Sequence, residues 1–163
     1  MLVSICLAII FCTIAIDQIT KIVFWDISKP LIGDVIWLTS TLNDGAAFSM
    51  MRGGRIFFII FSIIALFALG YILLTRKVSA SPFFRFTISM LIGGIVGNFI
   101  DRFLWGYVRD FIYIKPLGFV CNFADVFICL ATFFIVIYIL FMHDFDSSKK
   151  RKNKPQIKQN KEN

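Results

Sequence analysis

Four stretches of about twenty apolar residues dominate this chain of 163 residues. They lie near 2–24, 56–75, 83–103 and 122–142, and the second carries no charge at all. The hydrocarbon core of a bilayer is about 30 Å thick, and roughly 20 residues of helix cross it. Hydrophobic residues make up 58% of the chain and charged ones only 17%. A soluble domain would show about 45–50% and roughly 25%. The pattern predicts an all-α integral membrane protein with four transmembrane helices. It excludes a soluble domain, a disordered chain and a disulfide-stapled module. There is one histidine, His143, and one glutamate, Glu162, which excludes a multi-histidine zinc site and a His-Glu-x-x-His protease. No metal ligand set is recognisable and no cofactor is expected. The four cysteines lie in apolar stretches without a Cys-x-x-Cys pair, and read as small core hydrophobes.

Residues 1–142 read as one membrane domain and 143–163 as a basic, disordered tail. The first stretch reads as a retained helix, since no basic residue precedes it and no small-x-small site follows. Ser81-Pro82 opens the third, with serine as N-cap and proline in the first turn. Basic residues set the orientation. Arg76, Lys77 and Arg85 crowd the second connection, and the tail carries seven, from Lys149 to Lys161. Four spans put both termini and that connection on one side, which the positive-inside rule makes cytoplasmic. The +7 net charge is then mostly topology. The tail lacks a folded aromatic-basic surface, so nucleic acid is not an expected partner, whereas anionic membrane lipid is. On the opposite side, Val35-Ile-Trp-Leu-Thr-Ser-Thr41 within 25–55 predicts one or two short strands and a small sheet at the outer membrane surface.

Charges inside membrane spans are costly and need a reason. Here they gather at one depth. Asp17, Lys21, Asp101, Arg102, Asp110 and Asp125 all fall at outer helix ends or just beyond, joined by Asn43, Asn98 and Asn122. Such a convergent polar set is the default site hypothesis. Asp17 and Lys21 are four apart on a helix and can pair. Gly93 and Gly97 form a small face for close helix packing, and Asn98, Asp101 and Arg102 follow within a turn or so. Asp110 sits in an apolar, strand-like run, Val108-Arg-Asp-Phe-Ile112. Asp125 lies one turn into the fourth span, where a carboxylate also favours the helix N-terminus. Two carboxylates in one partly desolvated site split their titrations, so one can act as acid while the other activates water.

Other schemes fare worse. Cys121 and His143 stand about 33 Å apart along a helix, at opposite membrane faces. Ser49 with Lys21 would make a serine–lysine pair, but Lys21 already has Asp17. A small ion or proton transporter is the rival class, and it would want polar residues at mid-span. Here the middles of the first, second and fourth spans lack ionisable residues.

Five blocks in order resemble the lipoprotein signal peptidase (signal peptidase II) family. They are Asp17-Gln-Ile-Thr-Lys21, Asn43-Asp-Gly-Ala-Ala-Phe48, Gly93-Gly-Ile-Val-Gly-Asn-Phe-Ile-Asp-Arg102, Val108-Arg-Asp-Phe-Ile112 and Asn122-Phe-Ala-Asp125. The resemblance implies a bacterial cytoplasmic-membrane aspartyl endopeptidase, its site near the outer face. Its substrates would be diacylglyceryl prolipoproteins, cut on the amino side of the lipidated cysteine, and globomycin-type inhibitors would bind. Asp110 and Asp125 would be the catalytic dyad. Asp17, Lys21, Asn43, Gly45, Asn98, Asp101, Arg102 and Asn122 would support it, with Ala46, Gly94, Gly97, Val108 and Ala124 around them. The 25–55 segment would form a small β-cradle between the first two helices, on the non-cytoplasmic side. Two positions depart from the family pattern: Cys121, where an aromatic residue is usual, and Val126, where serine or threonine is common.

Overall fold

The computed structural model describes residues 2–45, 53–75 and 81–152. Four helices, α1 (Leu2–Val23), α2 (Arg55–Leu74), α3 (Pro82–Leu104) and α4 (Phe123–Lys152), fall on the four apolar stretches. All four are long and apolar enough to span a bilayer. Pro82 opens α3 as expected, although Ser81 caps it without a side-chain hydrogen bond. The helix α4 runs ten residues past the expected end at 142, so the tail begins as helical backbone. Arg76 and Lys77 and the tail residues 153–163 lie outside the described residues.

Helix α3 is the central post, packing against α1, α2 and α4, while α1 also meets α4. The glycines explain how. A Cβ on Gly93 would stand 2.6 Å from the Thr13 side chain on α1, and one on Gly97 would stand 2.5 Å from Asp17 Oδ2. A Cβ on Gly94 would meet the Ala124 carbonyl of α4 at 2.8 Å. Small residues let α3 approach both neighbours closely, the usual solution where no water drives helices together. Towards the other end, Phe84, Ile88 and Ile92 form the buried apolar core, covered by Leu66, Leu69 and Tyr138. Elsewhere the helices present large apolar side chains outward, as on α2 with Ile56, Phe61 and Phe67, which suits lipid rather than water.

The sheet is larger than the expected cradle. Strands β1 (Lys29–Ile32) and β2 (Ile36–Asn43) come from the 25–55 segment. Strands β3 (Val108–Ile114) and β4 (Phe119–Cys121), from between α3 and α4, complete one antiparallel sheet in the order β1-β2-β3-β4. A lone two-stranded hairpin is marginal in water, and the second hairpin supplies the missing neighbours. The register sets Thr41 opposite Asp110 and Asn43 opposite Val108, with an irregularity between Leu38 and Thr41.

Candidate active site

Strand β3 has a side chain pointing to each face in turn. Asp110 points one way and Arg109 the other, and a separate polar cluster forms on each side.

The Arg109 side faces the ends of α1 and α3. Lys21 Nζ stands 2.8 Å from Asp17 and 3.3 Å from Asp101, all three side chains fully buried. The guanidinium of Arg109 donates to Asp101 Oδ1 at 2.7 Å, and the Arg109 backbone N–H donates to Oδ2 at 2.9 Å. Gln18 knits these together, donating to Asp17, to the Gly97 carbonyl and to Asp101, and accepting from Arg109 at 2.9 Å. Asp17 also accepts from the Ala124 backbone N–H at 2.9 Å, tying α1 to the start of α4. Two carboxylates thus meet two cations, and the cluster is neutral. The expected Asp17–Lys21 pair is present and is part of this larger network.

The Asp110 side is held by amides. Asp110 accepts from Asn43 Nδ2 at 2.8 Å and from Asn122 Nδ2 at 2.6 Å. Asp125 accepts from Asn98 Nδ2 at 2.7 Å. At the start of α4 the Asn122 side chain accepts from the Asp125 N–H at 3.0 Å, and the Asp125 carboxylate accepts from the Asn122 N–H at 3.2 Å. This is a reciprocal capping box. Asp125 therefore does cap its helix with one oxygen while the other meets Asn98. Among the described residues, neither Asp110 nor Asp125 has an ion-pair partner.

Asp110 and Asp125 line one cavity of about 420 Å³, together with Asn43, Asn98, Arg102 and Val108. Phe119, Val120 and Ile128 make much of the remaining wall apolar. Arg102 rests its guanidinium 4.7 Å from the centre of the Phe58 ring and donates to the Gly45 carbonyl at 3.0 Å. Gly45 in turn donates its N–H to Asn43 Oδ1 at 3.0 Å, a turn that fixes the amide holding Asp110. Burial, and then the nearby negative charge of Asp125, push Asp110 up to about 6. Burial and the charges of Asp125 and Asp110 push the Cys121 thiol up to about 12, so it stays protonated and is a poor nucleophile.

Of the residues expected at the site, Asn43, Asn98, Arg102, Val108, Asp110 and Asp125 line the cavity. Asn122 joins Asp110 to Asn98 by donating to both. Asp17, Lys21 and Asp101 sit behind it, and Gly94, Gly97 and Ala124 are packing contacts. Ala46 and Ser49 lie outside the described residues. Sequence reasoning passed over Gln18 and Arg109 behind the cavity and Phe58 on its wall, and Cys129, read as a core hydrophobe, is exposed on that wall. Strand alternation was the available signal for Arg109, since it separates that side chain from its neighbour Asp110.

The fold defines a multi-pass membrane protein whose polar groups converge at one end of an apolar bundle. A family model described as Signal peptidase (SPase) II matches residues 9–141. The lipoprotein signal peptidase of Caldicellulosiruptor bescii is 40% identical over 136 residues, covering 81% of this chain and 88% of that protein. That of Clostridioides difficile is 39% identical over 141 residues, covering 82% and 93%. A bacterial membrane enzyme solved by the in meso method at 2.3 Å resolution superposes with a TM-score of 0.73 at 31% identity, covering 98% of this chain and 94% of its own. The chain belongs to the signal peptidase II family, the membrane proteases that cleave signal peptides from prolipoproteins.

Proposed function

We propose that this chain is an aspartyl endopeptidase that removes the signal peptide from diacylglyceryl-modified prolipoproteins, cutting on the amino side of the lipidated cysteine. Asp110 and Asp125 are the catalytic pair. The observation that carries this reading is their shared cavity: two carboxylates, neither neutralised by a cation, both held by asparagine amides. With Arg102 the cavity is neutral when the two carboxyls share one proton. That state gives an acid to protonate the peptide and a base to take a proton from water, and the titration belongs to the pair. The elevated Asp110 supports it at near-neutral pH.

In the first step the ionised carboxyl takes a proton from water, whose oxygen attacks the scissile carbonyl. The protonated carboxyl stabilises the developing oxyanion by hydrogen bonding. In the second, a carboxyl delivers a proton to the departing amine as the C–N bond breaks. Asn43, Asn98 and Asn122 hold the two carboxylates still, and Arg102 supplies positive charge on the same wall. The site lies at the outer face, both termini are cytoplasmic, and the substrate enters sideways from lipid. The density of basic residues at one end supports that orientation.

The test is a gel-shift assay of detergent-purified protein with a diacylglyceryl prolipoprotein and its unlipidated twin. Cleavage of the lipidated substrate alone, blocked by globomycin and unchanged by EDTA, is expected. A well-folded protein that cuts neither substrate would overturn the reading and bring ion-flux measurements forward.

A further inference from the structure

We propose that Arg109, which does not line the catalytic cavity, is a positioning residue for the reaction: by satisfying Asp101 from behind strand β3 it keeps Lys21 on Asn98 and holds Asp110 and Asp125 in place. This rests on the dyad reading above.

The geometry has two parts. First, Asp101 grips Arg109 through both its backbone N–H, at 2.9 Å, and its guanidinium, at 2.7 Å. The last turn of α3 is thereby fastened to β3 one residue before Asp110. In a strand, fixing one residue on one face fixes the next on the other. Second, the ammonium of Lys21 has three protons and three acceptors: Asp17 at 2.8 Å, Asp101 at 3.3 Å and Asn98 Oδ1 at 3.1 Å. Asn98 passes this polarisation on, donating to Asp125 at 2.7 Å. Without Arg109, Lys21 would serve two carboxylates alone. It would be drawn towards Asp101, and the cluster would gain a negative charge.

Among the described residues, the charged and titratable groups around Asp110 and Asp125 are Asp17 and Lys21 on α1, Arg102 on α3, Cys121 on β4 and Cys129 on α4, with Asp101 on α3 and its partner Arg109 on β3 behind them. Removing the Arg109 cation makes every ionisation of the pair harder. Both limbs of the pH–rate bell therefore move to higher pH. At the separation of two neighbouring clusters the move is roughly half to one pH unit.

The experiment measures kcat and KM against pH for Arg109→Gln, Arg109→Lys and wild type, with Asp110→Asn and Asp125→Asn in the same assay. Rates are scaled to folded enzyme by size exclusion and thermal melting. Arg109→Gln is expected to lower kcat about tenfold, leave KM within twofold and shift the bell upward. Arg109→Lys should return the bell to its place and recover part of kcat. A wild-type kcat and bell in Arg109→Gln would overturn the proposal. So would a loss of kcat with an unmoved bell that lysine does not rescue, which is the mark of a merely structural residue. Failure of the dyad reading shows separately, as activity surviving in Asp110→Asn or Asp125→Asn.

Discussion

Two pairs of carboxylates lie on either side of strand β3 and differ in what answers their charge. Asp17 and Asp101 face Lys21 and Arg109 at 2.7–3.3 Å. Asp110 and Asp125 face asparagine amides, with Arg102 bonded instead to the Gly45 carbonyl. A carboxylate met by a cation is held ionised and can do little chemistry at neutral pH. One met only by neutral donors, in a site with a second carboxylate, can keep or release a proton within the working range. On the proposed reading the same residue type thus takes two roles through its surroundings alone, one pair building the site and the other operating it.

The largest effect should come from removing the operating pair. Asp110→Asn or Asp125→Asn is expected to lower cleavage of a lipidated prolipoprotein by about 10³-fold or more while the protein still purifies as a folded species. Gel-shift rates beside a thermal melt check this. Activity within tenfold of wild type in either variant would end the distinction between the pairs.

The builders should fail in the opposite way. Asp101→Asn leaves the buried Lys21 and the half-buried Arg109 with one carboxylate between them. Breaking a buried ion pair from one side costs about 3–5 kcal/mol. At this chain length that is a fall in Tm of roughly 10 °C, read by thermal denaturation in detergent. An unchanged Tm with activity abolished would move Asp101 across to the operating group.

Much of this was readable before the structure. The four helices follow from length and hydropathy alone, because a bilayer accepts few other solutions. The gathering of Asp17, Lys21, Asp101, Arg102 and Asp125 at one depth follows from counting along those helices. The sorting of the acids into two clusters was less accessible. It depends on which face of β3 each side chain takes, and on a sheet joining 29–43 to 108–121 across two intervening helices. Pairing at that sequence distance leaves no local signal. Gln18 was passed over for a related reason: a neutral residue in an apolar helix shows no cost until its four partners are seen. Arg109 stands out in the sequence only as a charge inside the Val108–Ile112 run, and nothing there shows that Asp101 holds it.

A third prediction sharpens the contrast through pH. Asp110 sits at about 6 in the folded chain against an ordinary 3.8. Between those values the folded state holds more protons than the unfolded one, so stability falls as pH rises. The stability this group contributes is fully present below about pH 4 and lost as pH rises through about 6. The difference corresponds to ~3 kcal/mol. Melting curves of wild type from pH 4 to 7 should therefore fall more steeply than those of Asp110→Asn. Parallel curves would mean that Asp110 ionises freely in its cavity.

The smallest effect belongs to a pair that looks on paper like Lys21 and Asp17. Asp34 and Lys115 also form a carboxylate–ammonium contact, at 2.5 Å between the β1–β2 turn and the turn after β3. That contact holds Asp34 below the ordinary carboxylate range, as its first cause. Yet the side chains are 69% and 50% exposed, where those of Asp17 and Lys21 are fully buried. Water and salt screen the exposed pair, and ordering two surface side chains offsets what attraction remains. Asp34→Asn should leave Tm and cleavage rate indistinguishable from wild type at physiological salt, whereas Asp17→Asn should behave like Asp101→Asn. A comparable loss from both substitutions would show that the contact itself matters. A loss from Asp17→Asn alone would show that burial turns the same contact into architecture.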